Sequence, residues 1–320
     1  MRFFLIITFA VINIFCLSGQ QRNQFSLFTQ NYYQQNAAFG GFERAISLNM
    51  LYRSQWNQLP NRPRAYYFGM HMPLFSINSG IGFDLQNEEE GLLNIKSIRA
   101  SFNHITPLGF GIISTGGRLG LVNFQFNGDK ALTPEGTYID GIVIHNDPLL
   151  PTSQLGAVGV EYELGVFLET SVLRLGLTYS DFPKHKIKGQ DFTFTLSPNF
   201  SLFLQYYYQV NRQVQIQPSL SMRYSGAQLQ TDISLLSQIY GNIFGGLVLR
   251  GYDSNSLDAV GLLLGHKMNK NWTLYYVYDI GVSALRQVHD GSHEILLKCN
   301  LYDAVKQKTA GNIIYNPRFL

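Results

Sequence analysis

The chain has 320 residues, of which 14% are charged and 14% are aromatic, and its formal net charge is +3. Soluble proteins carry roughly 25% charged residues, so a water-exposed globular enzyme fits poorly, and a disordered chain would lack the aromatic residues. The small net charge gives no reason to expect a nucleic-acid partner.

The N-terminal segment, 1–19, has the features of a secretory signal peptide. Arg2 supplies a positive charge, Phe3–Leu17 form the apolar stretch, and Ser18–Gly19 are small residues suited to cleavage. The apolar stretch is too short to span a membrane as a helix. Cleavage would leave Cys299 as the single cysteine of the mature chain, which excludes an internal disulfide.

Residues 20–43 are rich in Gln, Asn and aromatic side chains and show no strong periodicity. This composition predicts a periplasmic lead-in segment, part of which could enter the mouth of the domain that follows.

Residues 44–301 alternate between apolar and polar side chains in a repeating unit. In the first unit, Ile46, Leu48 and Met50 point to one side, and Ser47 and Asn49 point to the other. A period of two is typical of a strand with two unlike faces. The pattern predicts strands at 45–55, 64–73, 80–87, 93–104, 109–125, 154–164, 171–180, 191–208, 213–224, 228–237, 242–251, 257–267, 272–279 and 292–301.

The connections between these strands form two sets when both termini are placed in the periplasm. One set contains only short turns, and the other contains every long loop, including 126–153. Outer-membrane barrels show this asymmetry. The sequence therefore predicts an all-β fold, a transmembrane antiparallel outer-membrane β-barrel of about 14 strands over 44–301, with a periplasmic tail at 302–320. A water-soluble β-sandwich with an ordinary core is the alternative.

Motifs for phosphate binding, nucleophilic catalysis and zinc binding are absent from the sequence. We therefore expect no catalytic residue, cofactor or metal, and no enzymatic activity. Several charged residues fall on the polar face of their strands, where they either brace the barrel or set the selectivity of a pore: Arg53, Asp84, Arg99, Arg174, Arg223, Asp232 and Glu294. A barrel of this width exceeds the size that wall side chains fill, so its lumen must be plugged, hold a ligand or conduct.

Short segments in a fixed order along the chain carry a resemblance to a known family. They are Gln24-Phe25-Ser26, Asn31, Asn36-Ala37-Ala38, Leu51-Tyr52-Arg53-Ser54-Gln55-Trp56, Pro73-Leu74-Phe75, Asp258-Ala259-Val260-Gly261, Tyr276-Val277-Tyr278-Asp279, Gly291-Ser292-His293-Glu294-Ile295 and Tyr315-Asn316-Pro317-Arg318-Phe319-Leu320. In this order they resemble the PorP/SprF family of the Bacteroidetes type IX secretion system. The chain departs from the family at Asn36-Ala37-Ala38, where members usually have Asn-Pro-Ala.

The resemblance implies an integral outer-membrane protein that is not an enzyme. Its partners would be a secreted surface protein with a type IX C-terminal domain, such as an adhesin, other secretion components and outer-membrane lipid. The expected role is to assist secretion, surface attachment or gliding motility. A passive porin or small-molecule transporter is the alternative, motivated by the wide polar lumen.

Two groups of residues near the predicted loop ends are candidate contacts. Arg53, Gln55 and Trp56 end the first strand, where an Arg–Trp pair could anchor a loop by a cation–π contact or bind a partner. His293 and Glu294 begin the last strand, where they could secure barrel closure or an outer loop, or contact a partner.

The C-terminal tail is the third candidate. Asn316, Pro317, Arg318 and Phe319 lie in a basic segment that ends in apolar residues. Either this terminus is frayed, or it docks to periplasmic machinery or to the barrel-insertion apparatus.

Overall fold

The computed structural model describes residues 25–139, 142–147, 150–189, 193–225, 228–252, 257–282, 286, 290–302 and 304. The predicted signal peptide at 1–19 and the tail residues Asn316, Pro317, Arg318 and Phe319 lie outside these ranges. None of the helices in the described ranges is long and apolar enough to cross a membrane.

The segments in which apolar and polar residues alternate form strands throughout the predicted domain. The strands are β1 (Ile46–Ser54), β2 (Arg64–Leu74), β3 (Ser79–Glu90), β4 (Leu93–Leu108), β5 (Gly111–Asn127), β6 (Thr137–Ile139), β7 (Ile142–Ile144), β8 (Gln154–Thr170), β9 (Leu173–Ser180), β10 (His185–Lys188), β11 (Thr193–Leu196), β12 (Asn199–Tyr206), β13 (Tyr208–Gln209), β14 (Val214–Ser225), β15 (Gln228–Ile239), β16 (Ile243–Tyr252), β17 (Ala259–Lys267), β18 (Trp272–Gly281) and β19 (Ser292–Leu301).

The sheet closes on itself as an antiparallel barrel of 14 strands, in which β13 continues β12. Each wall strand pairs with its neighbours in the sequence, and the first strand, β1, pairs with the last, β19. Two short hairpins, β6–β7 and β10–β11, form separate two-stranded sheets and do not pair with the barrel strands. The predicted fold class is therefore confirmed.

The two faces of each wall strand have different surroundings. In β8, Glu161, Glu163 and Phe167 are buried, whereas the alternate residues Val160 and Leu164 are exposed. A belt of such exposed apolar side chains surrounds the barrel, as a lipid-facing surface requires: Met50, Met70, Leu85, Ile98, Leu121, Val158, Ile233, Leu235, Leu247, Leu249, Leu262, Leu264, Leu274 and Ile295.

The described part of the lead-in segment, 25–43, lies inside the barrel, deeper than the periplasmic position predicted for 20–43. It forms short helical turns at Ser26–Thr29, Tyr32–Gln35 and Ala37–Phe39. Its aromatic rings pack against wall residues, with Tyr32 5.4 Å from Phe203 between ring centroids. Because its apolar and polar residues do not alternate, the segment cannot form a wall strand. Its aromatic rings can instead fill a lumen of this width. We call residues 25–43 the plug.

One predicted strand is divided in the structure. The pattern predicts a single strand at 191–208, but the structure has β11 in a hairpin with β10, and β12 in the wall. Pro198 lies between β11 and β12 and has no backbone N–H to donate to a ladder. The hairpin packs on the inner wall, where Ile187 contacts the buried cluster of Val122, Phe124 and Ala157.

Candidate functional site

A buried cluster of charged groups holds the start of the plug. Arg53 donates from Nη1 to Glu294 Oε2 at 2.6 Å and from Nη2 to Asp279 Oδ2 at 2.9 Å. Arg250 donates to the same Asp279 oxygen at 2.9 Å. The Ser26 hydroxyl donates to Asp279 Oδ2 at 2.7 Å. Two arginines and two carboxylates balance in charge, which buried ions require.

Glu294 also binds the plug backbone directly. Its two carboxylate oxygens accept the backbone N–H groups of Ser26 and Leu27, each at 2.8 Å. Glu294 belongs to β19, which pairs with β1 where the barrel closes. Its carboxylate therefore connects this seam of the barrel to the plug. Charge-assisted hydrogen bonds of this kind are among the stronger ones in proteins.

A second charge-balanced cluster binds the middle of the plug. Arg118 lies 3.2 Å from Asp84 and 3.2 Å from Glu163, and Arg99 lies 2.5 Å from Asp84. Arg118 also donates to the carbonyl oxygen of Tyr33, over whose ring its guanidinium stacks. Arg118 of the wall thus binds the plug backbone at the carbonyls of Tyr33 and Gln34.

Asn36 connects the plug to two neighbouring wall strands. Its Nδ2 donates to the carbonyl of Val166 in β8 at 2.9 Å and to that of Leu177 in β9 at 3.0 Å. Its Oδ1 accepts from the N–H of Ala38. Gly165 makes room for this side chain, because a Cβ at that position would overlap Asn36 Oδ1.

The end of the plug is held by an ion pair. Lys298 Nζ donates to Glu43 Oε1 at 2.8 Å and to the carbonyl of Gln30 at 3.0 Å. Burial by itself raises the pKa of Glu43, but the Lys298 ammonium outweighs it together with His71, so the pKa falls from its usual 4.5 to about 2. Glu43 is therefore ionised at neutral pH.

The plug runs from the long-loop end of the barrel to the short-turn end. Ser26 bonds Asp279 and Glu294, which lie near the loop ends of their strands. Glu43 bonds Lys298, near the opposite end of β19. The predicted periplasmic position of both termini is not tested by this arrangement and stays a prediction.

Between the hairpin β10–β11 and the barrel wall lies a cavity of about 410 Å³, which we call the vestibule. Arg223 and Gln230 line both the vestibule and a crevice beside Phe25 of the plug. The charged groups on its wall comprise more carboxylates than cations: Glu88, Glu90, Glu161 and Asp181 against Lys184 and Arg223. The vestibule therefore has an excess of carboxylates among its charged groups, beside an apolar part of its wall formed by Leu93, Ile95 and Phe124.

The candidates at the end of β1 occupy different places. Arg53 points into the lumen and binds Glu294 and Asp279, so it does not extend to the rim. The N–H of Gln55 donates to the carbonyl of Pro63, and the N–H of Trp56 donates to Ser292 Oγ at 3.1 Å. The backbone after β1 is thus tied to the start of β19.

His293 and Glu294 point to opposite faces. Glu294 is fully buried, whereas His293 lies on the outer face, where its Nδ1 is 2.6 Å from the Tyr276 hydroxyl and its ring centroid is 5.0 Å from that of Tyr278. Tyrosines at this level are typical of the aromatic girdle of membrane barrels. The two neighbouring residues therefore have separate roles.

Sequence reasoning missed the plug contacts of Ser26, Asn36 and Asp279. A signal was present, because each of these residues belongs to one of the short segments that carry the family resemblance. Ser26, Arg53, Asp279 and Glu294 come from four such segments and meet in one cluster. In the described ranges, no group of three or more His, Cys, Asp or Glu side chains could hold a metal ion.

Solved structures share the fold. The toluene transporter TbuX of Ralstonia pickettii matches with a TM-score of 0.52 and 12% identity, covering 84% of this chain and 92% of that one. The outer membrane protein Omp33 of Acinetobacter baumannii matches with a TM-score of 0.46 and 6% identity, covering 81% and 98%. At 12% identity the likeness to TbuX shows the fold alone. No curated protein is significantly similar to the chain.

The family match extends over most of the chain. The family described as "Type IX secretion system membrane protein PorP/SprF" matches residues 17–299. Together with the barrel, this match supports a location in the outer membrane and implies interaction with secretion components and secreted cargo. It also favours a role other than catalysis. The resemblance drawn from the short segments is thereby confirmed, and the chain belongs to the PorP/SprF family of type IX secretion system membrane proteins.

Proposed function

We propose that the protein assists the export or surface attachment of one large secreted protein, such as an adhesin with a type IX C-terminal domain. The observation that carries this proposal is the filled lumen. Wall carboxylates and arginines bind the plug backbone at Ser26, Leu27 and Tyr33. A barrel filled in this way serves as a platform, so a partner would bind its loops and vestibule.

The longest loop supplies a surface for such a partner. Leu132 is 78% exposed and Ile139 is 63% exposed, and both lie beyond the end of β5, outside the lipid-facing belt. His145 holds the loop in shape, since its Nε2 lies 2.9 Å from the carbonyl of Gly128 and 3.1 Å from that of Pro151. Exposed apolar side chains that lie close together are typical of protein-interaction surfaces.

The test is deletion of the gene followed by complementation. Deletion should leave one large surface protein unsecreted or released into the medium, and the wild-type gene should restore its display. The double variant Leu132→Ser, Ile139→Ser should fail to restore display although the barrel folds, whereas Lys130→Ser in the same loop should succeed. Normal display of every surface protein in the deletion strain would overturn the proposal.

A small-molecule transporter is the second candidate, because the vestibule is large enough to hold a small ligand. Conduction would require the plug to leave its ion clusters. Steady conductance of the purified wild-type barrel in planar bilayers would favour this candidate over the platform.

A further inference from the structure

The lipid-facing wall has a depression of about 800 Å³ that the platform role does not use. It extends over the outer faces of β19, β1 to β5 and β8. Its floor is a row of apolar residues that pair with one another across neighbouring strands: Leu297, Met50, Phe68, Leu85, Ile98 and Leu121. We call this depression the wall groove.

A polar row borders the wall groove on the side of the long loops. Lys96 in β4 lies opposite Asn87 of β3 and opposite Asn123 of β5, so three polar side chains stand next to each other on the outer face. All three line the groove. An amine and two amides beside a wholly apolar row form an amphipathic site.

The cation of this row lacks a counterion within the protein. Lys96 is exposed and forms no ion pair among the described residues. Glu89, a carboxylate on the same face of β3, is 4.0 Å from Arg64. Asn87 donates from Nδ2 to Glu89 Oε1 at 3.4 Å. The row thus offers one positive charge without a counterion among the described residues.

The same row lies at the level of the membrane surface. Tyr66 pairs with Asn87 across β2 and β3, and its ring is 5.1 Å from that of Tyr52 on the other side. Tyrosines mark the interface between the hydrocarbon region and the head groups. A ligand at Lys96 would therefore be at head-group depth, with the groove below it in the hydrocarbon region.

We propose that the wall groove binds one phosphorylated, multiply acylated glycolipid of the leaflet at the long-loop end. Acyl chains lie side by side on the apolar floor, which is broad enough for several chains because it spans successive strands. The Lys96 ammonium binds the phosphate. The Asn123 amide donates to sugar oxygens.

The test is lipid retention by the protein purified from its own membrane in mild detergent and examined by native mass spectrometry. The wild type should retain about one phosphorylated glycolipid per barrel. Lys96→Gln should retain about tenfold less, the effect of losing one charge-assisted hydrogen bond. Leu121→Trp, which fills the groove and leaves the charge in place, should also lose it. Lys267→Gln, at the short-turn end of β17, should retain the glycolipid.

Adding purified lipids back to the protein distinguishes a glycolipid from a phospholipid as the ligand. Delipidated, folded wild type should show a rise in the midpoint of thermal unfolding with lipid A, and a smaller rise with phosphatidylglycerol. Lys96→Gln should show no rise with lipid A. Equal rises with both lipids would overturn the glycolipid assignment, and unchanged retention by both Lys96→Gln and Leu121→Trp would overturn the site.

Discussion

Arg53 and Glu294 face each other across the seam at which the first and last strands pair, and their closest nitrogen and oxygen atoms are 2.6 Å apart. Glu294 also accepts the N–H groups of Ser26 and Leu27. The pair therefore joins barrel closure to plug binding, so one substitution should affect both.

Removing the cation from this pair should destabilise the barrel strongly. Arg53→Met leaves Glu294 and Asp279 as buried carboxylates with one fewer cation, a loss of about 3–5 kcal/mol in the free energy of unfolding. Urea unfolding of the refolded protein in detergent micelles, followed by tryptophan fluorescence, measures this loss.

The matched control is Arg64→Met, also in an Arg–Glu pair between neighbouring strands. Arg64 and Glu89 are 4.0 Å apart and 39% and 37% exposed, so the change should cost about 1 kcal/mol or less. Equal losses for the two variants would show that the seam pair contributes no more than a surface pair.

Removing the plug should open the lumen. Replacing residues 25–43 by a Gly-Ser linker of equal length removes the aromatic rings that fill the barrel, so planar bilayers should show steady conductance where the wild type is silent. A barrel whose loop 131–152 is shortened keeps the plug and should stay silent. A variant without the plug that does not conduct would mean that the wall itself occludes the lumen.

Filling the space beside Asn36 should dislodge the middle of the plug. Gly165→Val places side-chain atoms where Asn36 Oδ1 lies. A cysteine introduced at the buried Ala38, in a Cys299→Ser background, should then react with a thiol reagent at least about tenfold faster, corresponding to about 1.4 kcal/mol. Gly245→Val is the control because open space surrounds that position, and it should leave the labelling rate unchanged.

Glu43 should make plug binding sensitive to acid. Its pKa in the folded protein is about 2, below the usual 4.5, so its ionised form stabilises the folded state above about pH 4.5. That contribution, up to about 3 kcal/mol, is lost as the pH falls from about 4.5 to about 2. Wild type should exceed Glu43→Gln in unfolding free energy at pH 7, and the gap should narrow over that window. A gap that stays constant from pH 7 to pH 3 would assign the effect to packing.

The wall of the barrel follows closely from local pattern. The predicted strand at 292–301 coincides with β19, and the predicted strand at 64–73 differs from β2 by one residue. The period of two appears in the sequence because the two faces of each strand meet different surroundings, lipid outside and polar groups within. The exception at 191–208 arises because Thr193–Leu196 also alternate, although they pair in a hairpin beside the wall.

The plug and its clusters depend on contacts that no local pattern contains. Arg53 is separated from Asp279 by 226 positions and from Glu294 by 241, and Asn36 binds carbonyls more than 100 positions away. These groups become neighbours only when the barrel closes and its lumen desolvates them, so that each must find a partner of opposite charge or a hydrogen bond. The sequence alone therefore determined the strands, their faces and the family, whereas the tertiary structure decided that residues 25–43 fill the lumen.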